Sequence, residues 1–298
     1  MTEADLLPLL RTLPLHPGAR GLQDDAALVA GLLVTTDTLV EGVHFLASDP
    51  PADVAWKLVA VNLSDLAAKG AVPEGVLLNL PLGDAHWTRA FVAGLADILT
   101  TYDTPLIGGD TVSLPVGAPR VLTCTAIGRD AAAPSRTGAL AGDALWVTGT
   151  IGDAGIGLAI ARGAPGPAHL LARYRRPEPR LAEGRALAPH VHAMCDISDG
   201  LLLDASRIAG ASGLAVTIDL ARIPLSPHHT GDVPAAATAG DDYELLFAAP
   251  AGWEPPVPAT RLGSFAPGAG LTLTRAGRAV PLPETLGWLH GACAPAMR

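Results

Sequence analysis

The chain has 298 residues and carries a net charge of −9 at pH 7. Apolar residues make up 49% of it and charged residues 16%, which is typical of a globular protein with a sizeable core and excludes a disordered chain. The basic residues form no face suited to a nucleic-acid duplex, and no apolar run is long enough to span a membrane. We therefore expect neither nucleic acid nor a membrane among its partners.

Cysteine usage and the N-terminus indicate the cellular compartment. The three cysteines, Cys124, Cys195 and Cys293, are far apart, and no pair of them has the spacing of a zinc site or a disulfide framework. The N-terminus is acidic where a signal peptide would be basic. These features predict a cytoplasmic protein with reduced thiols.

Apolar periodicity and turn residues predict both helices and strands in the first half of the chain. The leucines of the first segment recur at helical spacing, and Asp53 is placed to cap a helix that stops at Gly70. The predicted elements are helices over 4–13, 53–70 and 87–102 and strands over 32–36, 75–80, 106–107 and 120–127.

A shift to Ala, Pro, Gly and Arg between residues 129 and 143 divides the chain, and we place the domain boundary there, with domains over 1–134 and 135–298. The second half is also mixed, which is typical of the α/β or α+β class. Its predicted elements are strands over 145–148, 214–218 and 245–248, a strand that ends at 195, a helix that ends near 161 and a helix that begins at 201. The Pro- and Gly-rich segment from 250 onward gives no clear pattern.

Aspartates stand at the ends of predicted strands or in the turns beside them, several next to glycine, which lets backbone and ligand approach closely. Carboxylates that converge repel one another unless cations lie between them, and oxygen ligands without His or Cys favour Mg²⁺ together with substrate phosphates. The pattern predicts a magnesium–polyphosphate site, although each aspartate taken singly could be a turn or N-cap residue. The aspartates concerned are Asp24, Asp25, Asp37, Asp110, Asp196, Asp199, Asp241 and Asp242.

Asp65 lies inside an otherwise apolar helical segment, 59–68. Asn62, Asp65 and Lys69 share one helix face. This face either points to water or, since few other polar groups accompany it, is buried, in which case Asp65 requires a charged partner or a metal ion.

Other sequence patterns that bind phosphate are absent or open to two interpretations. The chain has no Gly-rich P-loop with its lysine and lacks the protein-kinase motifs, which excludes both of those classes. A glycine-rich stretch at 148–157 joins a strand to a helix and could cradle a phosphate at the helix N-terminus, or it could be a tight structural turn.

Five segments, in this order, resemble the thiamine-monophosphate kinase family. They are DDAAL (24–28), TTDTLVEGVHF (35–45), AVNLSDLAA (60–68), LIGGDT (106–111) and DISDGL (196–201), with a weaker sixth match in GDDYEL (240–245). The resemblance implies the two-domain fold of aminoimidazole-ribonucleotide synthetase and selenophosphate synthetase, an α/β domain followed by an α+β domain. It also implies a homodimer whose N-terminal sheets join into a β-barrel, with ATP as co-substrate, thiamine monophosphate as acceptor and several Mg²⁺ ions.

The resemblance further implies roles for individual residues. Metal ligands would be Asp25, Thr35, Thr36, Asp37, Asp65, Asp110, Asp196 and Asp199. ATP contacts would be Tyr102, Gly109, Asp110, Arg136 and Ser198, and thiamine-phosphate contacts would be His44, Asp241 and Trp288. Three positions depart from the family pattern: Gln23 and Ala239 replace glycines, and Asp241 replaces a glutamate that is one methylene longer.

The chemistry of the acceptor predicts the mechanism. A phosphate oxygen is already anionic near neutral pH, so no general base is required and we expect no catalytic side chain of that kind. Direct in-line transfer with Mg²⁺ reducing the repulsion between the phosphates is the expected course. The alternatives are a related ATP-dependent enzyme with another acceptor and an inactive nucleotide-binding regulator. Selenophosphate synthesis is disfavoured because residues 1–25 contain neither Cys nor Lys.

Overall fold

The computed structural model describes residues 2–129, 133–229 and 232–291; Cys293 lies outside them. The first half forms a five-stranded sheet in the order β1-β2-β5-β3-β4, in which β3 and β4 are parallel and the other neighbours antiparallel. Its elements are α1 (Glu3–Leu10), β1 (Ala27–Val29), β2 (Leu32–Val40), α2 (Pro51–Ala68), β3 (Val72–Leu82), α3 (Ala85–Thr101), β4 (Leu106–Ser113) and β5 (Val121–Arg129).

Helix α2 is the central element of the first half. It begins at Pro51, two residues before the predicted cap, because proline has no N–H to leave unpaired in a first turn. Asp53 lies within that turn instead and accepts a hydrogen bond from Arg176 Nε at 2.6 Å. Most side chains of α2 are buried, since the helix packs on the sheet, on α3 and on the second half of the chain.

The second half forms a seven-stranded sheet in the order β12-β11-β8-β10-β6-β9-β7. The Pro- and Gly-rich segment that gave no clear pattern contains three of these strands, β10 to β12. The elements are β6 (Ala144–Thr148), α4 (Asp153–Ala161), α5 (Ala168–Arg175), α6 (Leu181–Leu187), β7 (Ala193–Asp196), α7 (Leu201–Ala211), β8 (Leu214–Asp219), α8 (Val233–Ala237), β9 (Leu245–Ala249), β10 (Ala259–Pro267), β11 (Gly270–Arg275) and β12 (Arg278–Val280). The boundary that we placed between 134 and 135 stays a prediction, and it falls in the connection between the two sheets.

The end of α2 joins the two halves. Ala67 and Ala68 belong to an apolar cluster with Trp146, Met194 and Phe247 of the second sheet. Gly184 in α6 allows the close contact, because a Cβ there would lie 2.0 Å from the carbonyl oxygen of Ala67. A polar residue in the last turns of α2 is therefore placed at the junction of both halves.

The other face of the first sheet carries no helix among the described residues. Side chains there include a ladder of threonine hydroxyls, in which Thr38 and Thr123 lie 2.9 Å apart, and exposed apolar groups such as Leu77. Strand β4 is exposed along its whole length. Within the described chain the sheet is open, so the expected barrel would require a second copy. None of the described helices is both long and apolar enough to cross a membrane.

Candidate active site

Three carboxylates converge where α2, the loop before β1 and the end of β7 meet. Asp25, Asp65 and Asp196 each offer an oxygen, and these oxygens all lie within 4.8 Å of one another. Asp65 is therefore directed to the junction of the two halves, where it is partly exposed. The other two members of its helix face, Asn62 and Lys69, are fully buried, so the possibility that this face points to water is wrong.

Asp37 extends this cluster from β2. Side chains alternate along a strand, so Thr35 and Asp37 face α2, whereas Thr36 faces the opposite side of the sheet. Asn62 Oδ1 accepts a hydrogen bond of 3.2 Å from the Asp37 N–H, and the Thr35 hydroxyl donates to Asp65. The hydroxyl of Thr36 donates to the Cys124 carbonyl oxygen at 3.1 Å, away from the cluster.

At the end of the cluster formed by Asp37, Asp65 and Asp196, burial of the carboxylates outweighs the effect of neighbouring positive charge on their pKa values. Burial raises the pKa of Asp65, as do Asp37, Asp196 and Asp25. Burial likewise raises the pKa of Asp196 to about 8, with Asp25 adding to the shift. The pKa of Asp37 is raised mainly by burial as well. Burial and mutual repulsion disfavour the charged form of these carboxylates, and a cation placed between them would favour it.

The ligand chemistry fits Mg²⁺. The cluster offers only oxygen atoms, which are the ligands that Mg²⁺ prefers. Asp199 lies nearby, since its charge contributes to the raised pKa of Asp37. It is bound by Arg207 Nη1 at 2.5 Å. The structure thus brings together Asp25, Thr35, Asp37, Asp65, Asp196 and Asp199 of the predicted metal ligands.

The opposite end, at Asp24 and Asp25, is compensated by basic side chains. Lys69 Nζ lies 2.6 Å from an oxygen of each aspartate, and Arg20 pairs with Asp24 at 2.5 Å. Arg136, which the resemblance assigned to ATP, pairs with Asp25 and is directed inward. Burial alone would raise the pKa of Asp24, but Lys69 and Arg20 bring it below its ordinary value.

Gly109 and Asp110, which were also assigned to the nucleotide, lie apart from the cluster. Gly109 pairs with Leu78, Leu78 with Cys124, and Cys124 with Asp37. Three strand spacings of ~4.8 Å put Gly109 roughly 14 Å from Asp37, so Asp110 cannot share an ion with Asp37 inside one chain. Tyr102 follows α3, with its ring 6.0 Å from that of Trp56. Burial raises the pKa of Tyr102 to about 12.

Two of the residues assigned to thiamine phosphate, His44 and Asp241, contact a lysine for which the sequence motifs predicted no role. Lys57 Nζ lies 2.7 Å from Asp241 Oδ2, 3.1 Å from the carbonyl oxygen of His44 and 4.3 Å from the ring centre of Tyr174. Tyr243 donates a second hydrogen bond, of 3.0 Å, to Asp241. One signal was present in the sequence: Lys57 and Lys69 are the only lysines, and both stand in the apolar segment that was predicted as a helix over 53–70.

The C-terminal segment 286–290 lies beside the same subsite. Trp288 donates its backbone N–H to the Asp199 carbonyl oxygen at 2.9 Å, and the His290 ring lies 5.5 Å from that of His44. Burial lowers the pKa of His44, and His290 lowers it further. The turn that carries Ser198 is tied to this region, because the Ser198 carbonyl oxygen accepts a hydrogen bond of 2.8 Å from the Asp241 N–H.

The glycine-rich stretch at 148–157 is a structural turn. Both carboxylate oxygens of Asp242 accept hydrogen bonds, of 3.0 and 2.9 Å, from the N–H of Gly152 at the start of α4. A carboxylate of the protein therefore occupies the position that a phosphate would take at this helix N-terminus. Residues 149–150 and the buried Glu244 complete the turn, since a Cβ on Gly149 would lie 2.1 Å from Glu244 Oε1.

Comparison with known proteins identifies the family. Models of AIR synthase related proteins match 23–129 (N-terminal domain) and 141–282 (C-terminal domain). The thiamine-monophosphate kinase of Caulobacter vibrioides is 40% identical over 96% of this chain and 88% of its own length, and that of Escherichia coli K12 is 41% identical over 77% and 76%.

Solved structures agree with these matches. A structure of AaThiL complexed with AMPPCP and TMP has a TM-score of 0.86 at 30% identity and covers 97% of both chains. The thiamine-monophosphate kinase of Stenotrophomonas maltophilia has a TM-score of 0.75 at 37% identity, covering 93% of this chain and 96% of that one. The chain belongs to the thiamine-monophosphate kinase family, enzymes that transfer a phosphoryl group and carry AIR synthase related domains.

Proposed function

We propose that the chain transfers the γ-phosphoryl group of ATP to thiamine monophosphate, giving thiamine diphosphate and ADP, by direct in-line transfer that depends on several Mg²⁺ ions. The observation that carries the proposal is the convergence of carboxylate oxygens from Asp25, Asp65 and Asp196 within 4.8 Å of one another, together with the raised pKa of Asp65 and of Asp196. The names of the curated relatives, and the two ligands in the related AaThiL structure, support the choice of substrates.

The proposed metal ligands are the side chains that converge on the cluster, together with the main chain at Thr36, whose hydroxyl points away. Bound there, Mg²⁺ would neutralise phosphate charge and stabilise the transferring group. The protein's own contribution is to fix the carboxylates. Ser64 holds Asp196 at 2.5 Å, and Asn62 holds the backbone of Asp37.

The acceptor would bind at Lys57, Asp241 and His44, on the Asp199 side of the cluster. Its phosphate is already anionic, so the side chains have to orient it rather than remove a proton from it. The lowered pKa of His44 keeps that imidazole neutral near pH 7, where it acts as a hydrogen-bonding group rather than a cation. Trp288 would close this subsite from the C-terminal segment. Tyr102, Gly109, Arg136 and Ser198 remain proposed ATP contacts.

We also propose a homodimer that buries the uncovered face of the first sheet. Leu106, Ile107 and Val112 on the edge strand β4 are about half exposed, and Leu77 lies on the uncovered face. A second sheet packed here would remove these apolar groups from water and complete the expected barrel. Sedimentation of the purified protein tests the dimer: Ile107→Glu should give monomers, and a monomeric native protein would reject the proposal.

The kinase proposal is tested by incubating the protein with ATP, Mg²⁺ and thiamine monophosphate and following thiamine diphosphate by mass spectrometry. Thiamine and thiamine diphosphate serve as control acceptors. Product should form only from the monophosphate and should disappear in EDTA. Asp37→Asn should abolish turnover while leaving thermal unfolding cooperative. Absence of product beside an active relative, or isolation of a phosphorylated protein on the reaction path, would reject the proposed function or its mechanism.

A further inference from the structure

Lys69 has the surroundings of a bound cation. It follows the last turn of α2, and its side chain is completely buried. Four oxygen atoms surround Nζ: one from each of Asp24 and Asp25 at 2.6 Å, and the carbonyl oxygens of Met194 at 2.9 Å and Pro134 at 3.1 Å. Two carboxylates and two carbonyls are the ligand types that a hard metal ion receives in proteins.

These oxygens come from three separate parts of the fold. Asp24 and Asp25 lie in the loop before β1, Pro134 lies in the connection between the two sheets, and Met194 lies in β7 of the second sheet. The ammonium group therefore holds the acidic loop, the connection and both halves of the chain together. Its charge also faces Asp25, which is a member of the carboxylate cluster on its other side.

We propose that Lys69 takes the place of a metal ion at the Asp24–Asp25 end of the cluster, neutralising that end and joining the two halves before any divalent ion binds. This proposal adds Lys69 to the proposed magnesium centre. It rests on the proposed function in one respect only, which is that divalent ions bind at the opposite end of the cluster, near Asp65. Arg20 and Arg136 assist, but each of them pairs with only one of the two aspartates.

Two substitutions at Lys69 separate its charge from its volume. Lys69→Met removes the charge and fills the space, whereas Lys69→Ala removes the charge and leaves room for an ion. Since removal of one partner strands buried charge, both variants should unfold at least about 10 °C below the native protein in EDTA. Added Mg²⁺ or Ca²⁺, without nucleotide, should raise the unfolding temperature of Lys69→Ala more than that of Lys69→Met or the native protein.

The other buried lysine supplies the control. Lys57 contacts one carboxylate instead of two, so Lys57→Ala and Lys57→Met should respond alike to divalent ions. Should both Lys69 variants fail to fold, Asp24→Asn added to Lys69→Met should restore folding in EDTA by removing a stranded charge. Native stability of Lys69→Met in EDTA, equal ion responses of the two Lys69 variants, or no rescue by Asp24→Asn would each overturn the proposal. These measurements follow folding and unfolding temperature and require no kinase activity. The proposal for Lys69 can therefore be confirmed or overturned even if the proposed kinase function is rejected.

Discussion

Asp196→Asn should stabilise the metal-free protein while removing its response to Mg²⁺. Asp196 is buried at the end of β7, and its pKa is raised from 3.8 to about 8 by burial and by Asp25. The folded state therefore binds this proton more tightly than the unfolded state does, and stability falls as the pH rises between those two values. At about 1.4 kcal/mol per pH unit, a shift of roughly 4 units corresponds to at most about 6 kcal/mol at pH 8.

Asparagine keeps the shape of the side chain and can still accept the hydrogen bond from Ser64. In EDTA at pH 8 the unfolding temperature of Asp196→Asn should exceed that of the native protein by at least about 5 °C. The two unfolding temperatures should approach each other near pH 4. Mg²⁺ with a non-hydrolysable ATP analogue should stabilise only the native protein, and turnover of the variant should be lost.

A buried aspartate with counter-charges is the matched control. Asp49 accepts hydrogen bonds from Arg175 Nε at 2.8 Å and from the Tyr174 hydroxyl at 3.1 Å, so Asp49→Asn should lower stability at pH 8. If Asp196→Asn raises stability at pH 8 and Asp49→Asn lowers it, the result would support the assignment of uncompensated charge to Asp196. A destabilised Asp196→Asn in EDTA at pH 8, or one that still gains stability from Mg²⁺, would refute the reasoning.

Substitutions at four further residues test the neighbouring features. Thr35→Val should weaken Mg²⁺ binding measured by calorimetry, whereas Thr36→Val should leave it unchanged; equal effects would contradict the assignment of opposite faces. Glu244→Gln should cost about 3 kcal/mol in denaturant unfolding, because Arg180 binds both oxygens of this buried carboxylate, and an unchanged midpoint would reject that role. Asp241→Ala should raise the KM for thiamine monophosphate about tenfold or more and Asp241→Glu much less, with the KM for ATP as the control.

Local pattern located the two long helices of the first half well, but it missed α5, α6 and α8 and gave the extent of strand β4 poorly. The predicted helices at 53–70 and 87–102 correspond to α2 and α3 within two residues at each end, because both segments have sustained periodicity and clear stop signals. Strand β4 was predicted only at 106–107, yet it continues through Gly108 and Gly109. Glycine has a low strand propensity, and here pairing with β3 overrides it. A Cβ on Gly109 would lie 1.9 Å from the Leu78 carbonyl oxygen, which explains glycine at that position.

The acids of the candidate site were foreseeable, and their partners were not. A lone aspartate in an apolar helix indicated that Asp65 faces either water or, if buried, a charged partner or a metal ion, and it lies in the carboxylate cluster. The period-two alternation of β2 could also have placed Thr36 on the opposite face from Asp37. Lys69 neutralises one end of the cluster because it forms ion pairs with Asp24 and Asp25, which lie more than forty residues earlier in the chain. That contact follows from how α2 packs on the loop before β1, and no local pattern encodes it.

In the proposed acceptor site, Lys57 would share recognition of the acceptor with Asp241, which would compensate for the shorter acid at that position. Asp241 has a φ of 61°, and Lys57 and Tyr243 fix its carboxylate. Lys57 belongs to the same helix as Asp65, eight residues earlier, so a rise of ~1.5 Å per residue sets their Cα positions roughly 12 Å apart along the axis. One rigid helix thus fixes the spacing between the acceptor subsite and the carboxylate cluster. Lys57→Met should consequently impair acceptor binding more than Asp241→Glu does, and the reverse order in KM would assign recognition to the carboxylate alone.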